Sequence, residues 1–387
     1  MPDMRYAPPS AMRVVDRGGG LNQTSVRTYN ERLVMSLLRR HGHLSRMEIG
    51  QHSGLSAQTV SVIVRSLERD VLVQAGEAQR GRVGPPSIPM SLNPEGAFAI
   101  GIKIGRRSID AVLMDFVGGV RTQIHHNYPE PDPETVFTLI QQDIAAMRSG
   151  LDAEQRERLV GIGISLPDDV EIWSNSSSDE NWTNINVEDR VARFSELPVY
   201  LQSDVTAAAG AELLFGAARE LNDFAYFYIG YRSASRLVLN HHVYAGRKGR
   251  VTPTAEKLAS IADLEASVVA AGLDAEPLSA SPTSWPDYGE ALDNWIETTA
   301  SELTSSILSM LAFVDVDRVI IDGRMPAAIR ERLAETVGRH AAAAGLQMDD
   351  EPSVAPALTG PFSKALGAAS LPFHSRFMVE QVGLTAD

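Results

Sequence analysis

Apolar residues recur at helical spacing early in the chain. Val26, Tyr29, Leu33, Val34, Leu37 and Leu38 share one helical face, and Gly42 ends the run. Ser45-Arg46-Met47-Glu48 has the form of a capping box, in which hydroxyl and carboxylate satisfy reciprocal free amides. A short helix runs on to about His52, and Gly54 breaks it. Ser56 can cap a third helix whose apolar face is Val60, Ile63, Val64 and Leu67. Val71-Leu72-Val73 then reads as a strand, the glycine-rich stretch to Pro86 as a loop, and Ile88, Met90 and Leu92 as a returning strand. Before all of this, residues 1–22 form a loose arm with a Gly18-Gly19-Gly20 run.

From Ala97 the period changes. Phe98–Ile104 and Ala111–Met114 are apolar runs around a turn at Gly105-Arg106 and read as a hairpin. A helix is expected over 134–148, a buried strand over Val160–Ile164, a helix near 187–195, a strand over Pro198–Leu201 and an alanine-rich helix from Thr206 to Phe215. The succession then repeats. Phe224–Ile229 and Arg236–Leu239 read as a second hairpin, with helices near 287–313 and 326–341 and a strand at Arg318–Asp322 between them. Two such units imply a two-lobed α/β body. The expected organisation is an arm at 1–22, a head at 23–93, a first lobe at 97–215 and a second at 216–387, whose last helix returns to the first lobe.

Composition sharpens this picture. The 387 residues include no cysteine, which excludes disulfides, thiolate metal sites and cysteine nucleophiles. No apolar run is long enough to span a membrane and no secretory leader is visible, so a cytoplasmic protein is expected. The net charge of −14 hides an asymmetry. Residues 1–92 hold 12 Arg, no Lys and 7 acidic residues, while the remainder is strongly acidic. A basic head on an acidic body points to one part that meets a polyanion. Three helices and a hairpin in that head make a winged helix-turn-helix, and a helix of this kind fits the major groove of duplex DNA. Ser56, Gln58, Thr59 and Ser61 open the third helix and are candidate base readers. Arg65, Arg46, and the wing residues Arg80 and Arg82 are candidate phosphate or minor-groove contacts.

Asn22–Asn30, Leu44–Ile49 and Gly54–Ser61 resemble the head of ROK-family transcriptional regulators. The resemblance extends through Gly161–Pro167, Asn181-Trp182, Leu197–Ala209 and the closing Leu366–Ala369. It implies an actin-like (ribonuclease H-like) two-lobed ATPase-type fold with a ligand site between the lobes, shared by repressors and sugar kinases. It also implies that Asp204 matches the kinases' sugar-binding aspartate, the general base towards a sugar hydroxyl.

The departures matter as much. Kinases of the family carry an acidic, glycine-rich phosphate loop in the first hairpin, where this chain reads Lys103-Ile-Gly-Arg-Arg107. The second phosphate turn reads Gly230-Tyr-Arg-Ser-Ala-Ser-Arg236, and the adenosine-side cluster reads Asp322-Gly-Arg324. The family's zinc cysteines are absent, its sugar-holding Glu and His fall at Pro253 and Glu256, and a remodelled or flexible stretch is expected near 246–285. No metal or cofactor is expected. Asp204, Asn181, Trp182 and Asp168 are the candidate ligand contacts, against alternatives in which Asp204 only caps a helix, Trp182 only packs the lobe and Asp168 lies in a solvated loop. The function expected is a DNA-binding regulator, a repressor acting as a homodimer or homotetramer with a catalytically inactive, sugar-sensing body. The alternatives are a sugar kinase with an added head and a ligand-independent dimerisation scaffold.

Overall fold

The computed structural model describes residues 23–78, 88–168, 182–244, 258–346 and 353–379. The head opens with α1 (Gln23–His41), β1 (Leu44–Ser45), α2 (Arg46–Ser53) and α3 (Ala57–Arg69), and continues with β2 (Val73–Ala75) and β3 (Pro89–Leu92). The capping box forms as the sequence implies. Ser45 accepts from the Glu48 amide at 3.2 Å, and Glu48 accepts from the Ser45 amide at 2.7 Å. Gly54 takes the left-handed conformation, φ 70°, that turns α2 into α3. The three strands pair antiparallel in the order β1-β3-β2. One expectation shifts: Val71 is not in a strand but left-handed, φ 63°. Asn93 holds this turn by donating to the Val71 carbonyl at 2.9 Å, so the strand begins only at Val73.

The body contains two sheets of the same design. The first consists of β4 (Phe98–Ile104), β5 (Ser108–Asp115), β6 (Val120–Asn127), β7 (Leu159–Leu166) and β8 (Val199–Ser203), in the order β6-β5-β4-β7-β8. Between these strands lie α4 (Pro133–Ser149), α5 (Ala153–Glu157) and α6 (Val187–Ala192), with α7 (Asp204–Phe215) following β8. The second sheet consists of β9 (Phe224–Ile229), β10 (Ala234–Leu239), β11 (His242–Val243), β12 (Arg318–Gly323) and β13 (Val354–Pro356), in the order β11-β10-β9-β12-β13. It carries α8 (Ile261–Ala270), α9 (Glu276–Ala280), α10 (Glu290–Leu311) and α11 (Ala327–Ala343), and α12 (Ser363–Phe377) closes the chain. In each sheet the first three strands run antiparallel, and the last two run parallel to the first. β4 and β7 are buried almost throughout, as strands covered on both faces must be.

Part of the stretch expected to be flexible is built. Residues 245–257 lie outside the described residues, but 258–285 contain α8 and α9. Leu264, Val268 and Leu278 fill the second lobe's core there. Asp263 accepts from the Ser260 amide at 2.7 Å, and Trp295 donates to the Ser260 carbonyl at 2.9 Å. Apolar burial and these bonds hold residues 258–285 in place.

Two helices join the lobes. α7 packs against the second sheet, its Val205, Ala208, Ala209 and Leu213 meeting Phe224, Tyr226 and Ile320. α12 leaves the second lobe and packs on the first sheet, where its backbone comes so close that only glycine fits beneath it. A Cβ at Gly101 or Gly163 would overlap the carbonyl of Ala365 or Ala368, and one at Gly367 would overlap the Ala207 carbonyl of α7.

The head is not tethered by a free linker. Its core residues Val34, Met35, Leu38, Met90 and Leu92 belong to one apolar cluster with Ala99, Met114 and Phe116 of the first lobe and Phe373, Phe377 and Met378 from the end of α12. Arg39 lies over the rings of Phe116 and Phe215, at 5.3 and 5.5 Å, and donates to the Phe116 carbonyl. Ser36 accepts from the Val379 amide at 3.0 Å.

Gly163→Ala forces α12 off the sheet and is expected to lower stability by about 1–3 kcal/mol or more. A melting temperature within a degree of the parent would contradict this close packing. A pH effect follows from His374 beside the head. Burial, then repulsion from Arg39, pulls its imidazole down to about 4, below the roughly 6.5 of an unfolded chain. The fold accepts the neutral ring, so this contribution is complete above about pH 6.5 and declines as pH falls towards 4. Between pH 7 and 5 the parent should therefore lose more thermal stability than His374→Gln, and equal losses would contradict the assignment.

Candidate nucleic-acid interface and interlobe site

The outer face of α3 is set by its inner face. Val60, Ile63, Val64 and Leu67 are buried, which turns Gln58, Ser61, Val62 and Arg65 outward along one stripe. Gln58 and Arg65 are exposed and Ser61 is half-buried. Ser56 and Thr59 are placed differently. The Ser56 hydroxyl accepts from the Thr59 amide at 3.2 Å, and the two hydroxyls bond to each other at 2.8 Å. They cap the helix first. Arg46, at the start of α2, pairs with Glu68 of α3 at 3.2 Å and borders the same surface. Arg80 and Arg82 lie outside the described residues.

The interlobe candidates separate. Asp204 is 4% exposed and does not cap α7, whose N-cap is Ser203. Its carboxylate accepts from Lys364 of α12 at 2.5 Å, and the same ammonium lies 4.0 Å from the Tyr228 ring centroid. This pair joins the first turns of the two helices that connect the lobes. A lysine at a helix N-terminus is unfavourable against the dipole, and the aspartate offsets it. Asp168 is partnered too, as Arg236 of β10 donates to it at 2.5 Å across the cleft and also reaches Ser203 and Thr206. Trp182 does not serve as a stacking platform. It is 4% exposed, stacks on Phe137 and donates its indole N–H to the Pro131 carbonyl. Asn181 lies outside the described residues.

The hairpin turns are tied together by side-chain contacts. Arg107, beyond β4, stacks 4.3 Å from the ring centroid of Tyr231, in the turn between β9 and β10, and donates to Glu265 of α8 at 3.0 Å. Tyr231 donates to the same carboxylate. The two turns thus hold each other across the cleft. Below them Lys103 is 8% exposed and pairs with Asp110 at 3.2 Å. Desolvation lowers the Lys103 ammonium from its usual range, while Lys103 and His125 hold Asp110 well below the usual carboxylate range against its burial. His125 bonds Asp110 at 2.5 Å and meets Arg324 of the second lobe at 3.3 Å. Asp322 turns inward, accepting from Tyr226 at 2.5 Å, and burial lifts its carboxyl to about 6.

Sequence reading missed Lys364, which stands 160 residues from Asp204 with no local pattern to mark it. It missed the Asp110–His125 pair for the same reason, since adjacent strands bring them together. The Arg107 and Tyr231 turns were legible only as lost glycines, not as a mutual clamp.

Comparison with known proteins places these features. Residues 99–254 match the ROK family. An uncharacterized protein of Sinorhizobium fredii, y4fQ, is 25% identical over 371 residues, covering 91% of this chain and 93% of that protein. The xylose repressor of Bacillus spizizenii is 26% identical over 238 residues, an alignment that covers 59% of this chain and 60% of the repressor. The transcriptional dual regulator NagC of Escherichia coli is 25% identical, covering 59% of this chain and 57% of that regulator. The chain is therefore aligned over less than two thirds of either named regulator. Among solved structures, a ROK family transcriptional regulator described as a homologue of the E. coli MLC protein shares the fold with a TM-score of 0.64 over 91% of this chain and 98% of its own. A ROK family glucokinase from Streptomyces griseus, solved with glucose and AMPPNP, shares the body fold at 0.53 over 71% of this chain and 99% of its own. Among the described residues no cluster of metal-ligating side chains forms, and no helix is long and apolar enough to cross a membrane.

Removing Lys364 leaves a buried carboxylate without its partner. Lys364→Met is expected to cost about 3–5 kcal/mol, and adding Asp204→Asn should restore most of it. Urea unfolding midpoints read both effects, and an unchanged midpoint for the single variant would reduce Asp204 to a helix-end residue.

Proposed function

Because the chain carries a ROK family domain over residues 99–254, we propose that it is a DNA-binding transcriptional regulator, a repressor whose body senses a sugar or related polyol and transfers no phosphoryl group. The observation that carries this reading is the α3 stripe. Gln58, Ser61 and Arg65 stand clear of the body on a helix whose other face is fully packed. Glutamine can bond adenine in bidentate fashion, and arginine supplies either a phosphate contact or a guanine contact. The relatives named as xylose repressor and NagC support the same class. Two heads related by a two-fold axis read half-sites one helical turn apart, so the working form is a homodimer, alone or paired into a tetramer.

Against a kinase stand the two hairpin turns. Phosphate binding needs glycine backbone amides aimed at the ligand, and here Arg107, Tyr231 and Glu265 occupy one another instead. Asp204 and Lys364 are the polar groups that a polyol hydroxyl would engage, exchanging their mutual bond for contacts to the ligand. α12 then provides the route to the head, because it carries Lys364 at one end and packs Phe373 and Phe377 into the head's core at the other. A ligand that loosens the Asp204–Lys364 pair shifts the seat of the DNA reader. The cross-cleft ion pairs favour one second reading, a body that only dimerises.

Duplexes selected from a random library by the full-length protein supply the test. Gln58→Ala/Arg65→Ala is expected to weaken binding to them roughly ten- to a hundred-fold. Unchanged affinity would assign the reading surface elsewhere. The same titration in neutral sugars separates the two bodies. One sugar class should change DNA affinity and raise the melting temperature, whereas ATP should do neither. If no sugar does so, the dimerisation body stands.

A further inference from the structure

The α3 stripe contains one residue that hydrogen-bond readout does not use. Val62 is 54% exposed and lies midway between Gln58 and Arg65, one turn from each. Its neighbours Val60, Ile63 and Val64 are buried, so the core is complete without it. A β-branched residue on a solvent-facing helical position is not favoured by helix propensity either. The hydroxyls flanking the stripe, Ser56 and Thr59, bond each other, which leaves Gln58, Ser61, Val62 and Arg65 as the face the helix presents. Arg65 is exposed on the same helix, while Arg69 and Arg46 nearby pair with Asp70 and Glu68 at 3.5 and 3.2 Å and would exchange those carboxylates for phosphates. The occupant this surface fits is a polyanion that also offers a small apolar group.

Duplex DNA offers one such group in its major groove, the thymine 5-methyl. We propose that Val62 reads a thymine methyl and so fixes one A·T pair of each half-site, beside the base read by Gln58. This rests on the DNA-reading function proposed above and extends it to a specificity-determining contact. Glutamine supplies a polar match to adenine, and valine a methyl match to thymine. Arg46 is placed to hold the helix against the backbone, and Arg65 to reach a phosphate or a guanine. Met47 is more exposed still, at 72%, but it stands on α2, the helix that crosses the backbone in this architecture.

Deoxyuridine differs from thymidine only by that methyl, so the test is single-atom in scale. The probe is a duplex selected by the full-length protein, with each thymine replaced in turn by deoxyuridine. At one position per half-site, replacement should weaken binding roughly three- to ten-fold. Val62→Ala should bind the thymine and deoxyuridine duplexes alike, close to the parent's affinity for deoxyuridine. Met47→Ala should keep the parent's preference. A uniform response to deoxyuridine at all positions overturns the assignment, as does a thymine preference that survives Val62→Ala. Absence of any duplex binding by the full-length parent would instead overturn the DNA-reading function, and this contact with it.

Discussion

The molecule is organised around one close approach. α7 carries the chain from the first lobe to the second and α12 brings it back, and the two meet where Gly367 passes the Ala207 carbonyl. On its other side α12 presses onto β4 and β7 over Gly101 and Gly163. Side chains at these three glycines would separate two helices and a sheet at once. The close fit makes α12 an element shared by three bodies: its first turn faces the cleft, its middle lies on the first sheet and its last turn enters the head's core. Packed interiors transmit displacement because they have no slack.

The cleft between the lobes is bridged by electrostatic contacts. Each hairpin turn contributes a large side chain, charges pair across the gap in Arg107 with Glu265 and Arg236 with Asp168, and Arg324 adds a hydrogen bond to the His125 ring. Such pairs are individually modest where water reaches them. Their common effect is to give the lobes one preferred spacing. The Asp204–Lys364 pair is different, because it is buried and so depends strongly on both partners.

The fold was legible to the degree that its signals were local. The capping box at Ser45–Glu48, the Gly54 turn and the apolar runs at Phe98–Ile104 and Phe224–Ile229 each declare an element within ten residues. β6 was not legible, because as an edge strand of mixed exposure it shows no clean alternation. Val71 misled because a β-branched run resembles a strand, while a side-chain bond from Asn93, 22 residues away, holds it in a turn. Of the candidate site, the α3 stripe was readable from helical period alone. The partners of Asp204 and Asp168 were not, since each lies on a distant element.

Sequence alone determined the class of each part. Periodicity defined a three-helix head with a hairpin and two successive α/β units, and charge separated a basic head from an acidic body. Those properties belong to short stretches, where side-chain spacing and composition act directly. Tertiary structure decided which residues meet. It gave Asp204 to Lys364 rather than to a helix cap, turned Trp182 into the core and fused the head's core with the last helix of the body. These outcomes depend on chain closure over 51 to 343 residues, and no local spacing carries that information.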